Sequence, residues 1–87
     1  MTNSSNTYHI TVKARYHGTL LSRIAGICNK RRLKLTSLNY DLDKYGEVTI
    51  NMELTMQEES LANLVYQFEK QIDVLNVDFK VSTVLEV

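Results

Sequence analysis

The sequence predicts an α+β domain of β-α-β-β-α-β order: a four-stranded antiparallel sheet with two helices on one face, the ferredoxin-like arrangement. Three observations predict it. Tyr8 to Arg15, Glu47 to Met56 and Val77 to Val81 alternate apolar with polar residues, the period of a half-buried strand. Leu20 to about Arg31 and Leu61 to Phe68 carry apolar residues at helical spacing. The 87 residues suffice for one modest core and contain no internal repeat.

In the first strand Tyr8, Ile10, Val12 and Ala14 share a face, opposite His9, Thr11, Lys13 and Arg15. Tyr16-His17-Gly18 is a short loop, and Thr19 is the expected N-cap. In the helix that follows, Leu21, Ile24, Ala25 and Cys28 form the apolar stripe, widened by Leu20 and Ile27. Gly26 within it suggests close packing against the sheet. Lys30, Arg31 and Arg32 end the helix where its dipole favours cations.

Leu33 to Leu42 is a second strand. Its apolar phase changes between Leu35 and Leu38, which predicts a bulge near Thr36-Ser37, a device common on edge strands. Asp43-Lys44-Tyr45-Gly46 reads as a hairpin turn with Gly46 at positive φ. Val48, Ile50, Met52, Leu54 and Met56 give the third strand its buried face. Leu61, Leu64, Val65 and Phe68 give the second helix its stripe, with Ile72 closing its end. The last strand reaches about Val84. Residues 8–87 form the domain, and Met1–Thr7 are expected to be a disordered lead-in.

Composition removes several functions. No apolar run approaches the roughly 18 residues of a membrane span, and the polar start does not read as a signal peptide. A single cysteine allows no internal disulfide; together these point to the cytoplasm. Net charge is zero, but residues 1–40 hold seven cations and no acid, while residues 41–87 hold ten acids and three lysines. Interleaving of the two halves in one sheet would make these charges neighbours.

The open sheet face offers Thr11, Lys13, Arg15, Thr49, Asn51, Glu53, Asp78 and Lys80, with His9 as the one ring able to stack on a base. That is not a nucleic-acid surface. The first loop has no cysteine for a metal and too little glycine for a phosphate cradle. His17, the best catalytic candidate, has no visible partner, and Cys28 reads as core. No catalytic residue is assigned.

Several stretches then carry a resemblance. Leu21-Ser22-Arg23-Ile24, Thr36-Ser37-Leu38, Ile50-Asn51-Met52-Glu53-Leu54-Thr55 and the run from Gln67 to Val77 resemble the small subunits of acetohydroxyacid synthase (acetolactate synthase), closest to the short single-domain type. The resemblance implies an ACT domain that binds and activates a large catalytic subunit in branched-chain amino-acid synthesis. Thiamine diphosphate, FAD and Mg²⁺ would belong to that large subunit and none to this chain. It also implies a branched-chain amino acid held between paired ACT domains. The matching positions here are Tyr16, Gly18, Thr19, Leu20, Lys34 and Leu35, with backbone N–H groups at the helix start holding the carboxylate. The sequence departs from the family there: Tyr16 and Thr19 add bulk where the family leaves room, so valine binding is expected to be weak or absent.

Lys13, Arg15, Lys30, Arg31, Arg32 and Glu53 are the candidates for contact with the catalytic subunit. The exposed second strand suggests a homodimer through edge strands. A free-standing ACT domain sensing another small ligand is the alternative reading.

Overall fold

The structure is a computed structural model that describes residues 5–31 and 33–82. Six elements follow in order: β1 (Ser5–Arg15), α1 (Leu20–Lys30), β2 (Lys34–Leu42), β3 (Glu47–Gln57), α2 (Glu58–Glu69) and β4 (Val74–Val81). The sheet order is β2-β3-β1-β4, with every neighbouring pair antiparallel. This is the expected ferredoxin-like topology. Each crossover helix connects two strands that are parallel to one another and skip one neighbour, as short right-handed connections require.

β1 and β3 form the centre, and their alternation explains the core. Ile10, Val12 and Ala14 on β1 and Val48, Ile50, Met52 and Leu54 on β3 are fully buried. They pair directly as Val12 with Ile50 and Ile10 with Met52. From above, Leu20, Ile24 and Cys28 of α1 and Leu61, Leu64, Val65 and Phe68 of α2 close on them. Fully burying one such side chain contributes about 1.5–3 kcal/mol, so this single cluster holds both layers together.

β1 starts at Ser5, earlier than the alternation beginning at Tyr8 suggested, because Ser5, Asn6 and Thr7 continue the ladder opposite Gln57, Met56 and Thr55. The Thr7 and Thr55 hydroxyls share a hydrogen bond of 2.9 Å there. The bulge in β2 falls where the phase change placed it, between Leu35 and Ser37. In the hairpin, Gly46 has φ 85°. The Asp43 carboxylate accepts the backbone N–H groups of Tyr45 (2.8 Å) and Glu47 (2.9 Å).

Four local expectations need correction. Leu20, not Leu21, leads the buried stripe of α1; Leu21 is 38% exposed. Gly26 does not press on the sheet, since a Cβ added there would meet no atom within 4 Å. Ile72 does not close the end of α2: the helix stops at Glu69, and the turn swings Ile72 outward to 89% exposure. Thr19 occupies the N-cap position of α1 but makes no capping bond with its side chain. The expected continuation of β4 to Val84 lies outside the described residues.

Candidate functional site

The loop from Tyr16 to Thr19 sits where three connections meet. Arg15 N–H donates to the Asp73 carbonyl in the α2–β4 turn (2.9 Å), and Tyr16 N–H donates to the Gly46 carbonyl in the hairpin (2.9 Å). The start of α1 is therefore anchored from both sides. Within the loop, His17 does the capping. Its Nδ1 accepts the Thr19 backbone N–H (3.2 Å), and its carbonyl accepts the Leu20 N–H (3.0 Å). These are the two donors that the resemblance assigned to a ligand carboxylate, and the chain occupies both itself. The Tyr16 hydroxyl folds toward Gly18, 4.0 Å from where a Cβ would stand.

The Thr19 hydroxyl lies 3.1 Å from His17 Nδ1 and 3.1 Å from Arg23 Nε. A guanidinium only donates, so Thr19 Oγ1 accepts from Arg23. Arg23 completes its reach with Nη1 donating to Gln71 Oε1 (3.1 Å) and Nη2 donating to Asp73 Oδ2 (2.6 Å). A chain of contacts runs from the α2–β4 turn through Arg23 and Thr19 to His17. Sequence reading had no signal for it beyond the resemblance itself, because its members are about fifty residues apart. The Arg23–Asp73 ion pair also joins the basic and acidic halves of the chain.

Lys34 and Leu35 are not part of this site within one chain. Lys34 lies in register with Thr55, which pairs with Thr7 on β1, whereas the loop leaves the other end of β1 after Arg15. Eight strand residues separate those ends, about 27 Å.

The partner-contact candidates divide the same way. Lys13 and Arg15 lie on the open face toward the loop end, Arg15 opposite Glu47. Lys30 sits in the last turn of α1, and Arg31 Nη2 donates to Asn63 Oδ1 across the helices (2.9 Å). Arg32 lies outside the described residues. Glu53 belongs to a network on the open face: its Oε2 accepts from Ser82 Oγ (3.2 Å) and lies 3.4 Å from His9 Nδ1. The other ring nitrogen, His9 Nε2, meets Asn51 Oδ1 (3.1 Å), which also accepts the Thr11 hydroxyl (2.8 Å). His9 is thus a bridge between strands rather than a free ring. Cys28 is buried, and burial pushes its thiol pKa up against a smaller lowering by Arg31, which disfavours the thiolate a nucleophile needs.

No family model matches the sequence, and no curated protein matches it. Solved structures do match the fold. The ACT domain from GTP pyrophosphokinase of Chlorobium tepidum superposes with a TM-score of 0.78 at 17% identity, covering 88% of this chain and all of that one. The C-terminal domain of the MgtC protein from Mycobacterium tuberculosis gives 0.75 at 16% identity, covering 94% of this chain and 93% of that one. The acetolactate synthase small subunit from Thermotoga maritima gives 0.73 at 11% identity, covering 83% of this chain and 45% of the larger subunit. The chain has an ACT-domain fold. Among the described residues, no helix is long and apolar enough to cross a membrane.

Proposed function

We propose that this chain is a non-catalytic regulatory subunit that binds and activates the catalytic subunit of acetohydroxyacid synthase, with a feeble response to valine. One observation carries the reading. Arg23 and the Gln71–Asp73 turn belong to the two most distinctive stretches of the sequence resemblance, and in the fold they meet as one hydrogen-bonded clamp. Matching words that also form one physical unit are harder to obtain by chance than either word alone. The fold shared with the Thermotoga maritima small subunit is compatible with the reading and no more specific than that.

The weak response to valine follows from the loop. A ligand carboxylate would have to displace His17 from the Thr19 N–H and the Leu20 N–H from its own chain partner. Exchanging an internal hydrogen bond for a ligand's gains little net free energy, since each is worth about 0.5–1.5 kcal/mol.

The decisive experiment is reconstitution with the large subunit of the same organism, supplied with thiamine diphosphate, FAD and Mg²⁺. Acetolactate formation should rise several-fold when this chain is added, and the two chains should co-purify. Unchanged activity with no co-purification would reject the reading.

A further inference from the structure

β4 is an outer strand of the sheet, so one side of its backbone has no neighbouring strand. Ser82 N–H donates to the Thr7 carbonyl (2.8 Å), which makes Thr7 and Ser82 a hydrogen-bonded pair. Antiparallel ladders alternate. Lys80 with His9 and Asp78 with Thr11 are therefore the next bonded pairs, and the N–H and C=O groups of Val77, Phe79 and Val81 point away from β1.

The side chains along this edge are sorted by face. Phe79 and Val81 lie on the helix-facing side, opposite Ile10 and Tyr8, and are 50% and 51% exposed. On the open face Asp78 and Lys80 flank a cleft of about 240 Å³, which His9, Thr11 and Phe79 also line. Among the described residues neither Asp78 nor Lys80 has an ion-pair partner within the chain; Asp78 accepts only the Asn76 side-chain amide, at 3.1 Å. A strand laid along β4 would find backbone donors and acceptors, an apolar ledge on one face, and an acid and a base with room between them on the other. In strand addition of this kind the main chain supplies affinity and the side-chain pockets supply specificity.

We propose that the β4 edge receives an extended segment of the catalytic subunit, with apolar residues beside Phe79 and Val81, an acid beside Lys80 and a base beside Asp78. The inference rests on the reading of this chain as a regulatory subunit of acetohydroxyacid synthase.

A second copy of the chain has a place at the opposite edge instead. In the hairpin, Asp43 N–H donates to the Glu47 carbonyl (3.0 Å), and the same alternation turns the backbone groups of Leu38, Tyr40 and Leu42 outward. A two-fold about Tyr40 sets Leu38 opposite Leu42, and both share the helix-facing side with Met52 and Val48. Copies that paired at β4 as well would extend the sheet without end, whereas soluble oligomers close. One edge for a copy and the other for a different chain gives closure, and it leaves one β4 on each copy for a catalytic subunit.

The test measures binding of the full chain and its variants to the large subunit of the same organism, with circular dichroism as a check on folding. The parent should bind. Lys80→Asp and Asp78→Lys should each weaken the complex by about tenfold or more, since each sets like charges side by side. Val81→Pro should weaken it at least as much. It removes an N–H that points away from β1, so the β1–β4 ladder survives, as it does for prolines on edge strands. Amide hydrogen exchange on the parent gives a second readout: the Val77, Phe79 and Val81 N–H groups should become protected in the complex. If the parent does not bind the large subunit, the subunit reading and this inference fall together. If the parent binds and the folded variants bind equally well, or the three amides exchange as fast as in the chain alone, only this inference falls. Variants that alter self-association in sedimentation but not binding to the large subunit would give the edge to a second copy, which also overturns it.

Discussion

A guanidinium bonded to three side chains, as Arg23 is to Thr19, Gln71 and Asp73, is held against rotation and holds its partners in turn. The Arg23 and Asp73 side chains are 30% and 19% exposed, so their bond is shielded from water more than a surface pair. Hydrogen bonds to charged groups contribute about 1.5–3 kcal/mol each. Arg23→Ala should therefore destabilise the fold by about 2–3 kcal/mol and Asp73→Ala by about 1–2 kcal/mol in urea unfolding. The double variant should lose less than their sum, by about 1 kcal/mol or more. Additive losses would show that the two groups do not act together. This residue-scale feature was only half legible. The words around Arg23 and Asp73 stood out as a resemblance, but nothing in a linear pattern says that a helix-surface arginine reaches a turn across the molecule. The same holds for His17, read as a loop residue without a partner, whose ring meets the backbone N–H and the hydroxyl of Thr19 in its own loop.

At the scale of elements, period and turn chemistry were enough for most of the fold. Strict alternation located β3, and the phase change in β2 located its bulge, because a shift of one residue turns side chains to the other face. What alternation could not reveal is how far the helices reach. Phe79 and Val81 alternate as buried residues do, yet on the outer strand each stays about half exposed. The phase of α1 was also set from outside: the loop anchors at Arg15 and Tyr16 fix where the helix begins, and that turns Leu20 inward and Leu21 out. Gly26 shows the same limit. A helix glycine suggested a close approach, but open space surrounds its missing Cβ. Glycine inside a helix costs about 0.5–1 kcal/mol relative to alanine. Gly26→Ala should therefore stabilise the domain by about that amount, read as a higher urea midpoint with an unchanged slope. A lower midpoint would mean that another body needs the gap.

For the whole molecule, the pairing edge and the amino-acid response are linked by geometry. The loop at the end of β1 and Lys34 at the start of β2 lie at opposite ends of one sheet, so a ligand using both must bridge two copies. Pairing at β2 could bring Lys34 of one copy toward the loop of the other. A ligand that binds two copies more tightly than one must shift the equilibrium toward the dimer; one that does not bridge them leaves it in place. Because His17 already occupies the Thr19 and Leu20 N–H groups, sedimentation with saturating valine, leucine or isoleucine should match that without, and calorimetry should show no micromolar binding. A dimer tightened by valine and weakened by Lys34→Ala would place the two-fold axis at β2 and restore the amino-acid switch that the Tyr16–Thr19 loop argues against.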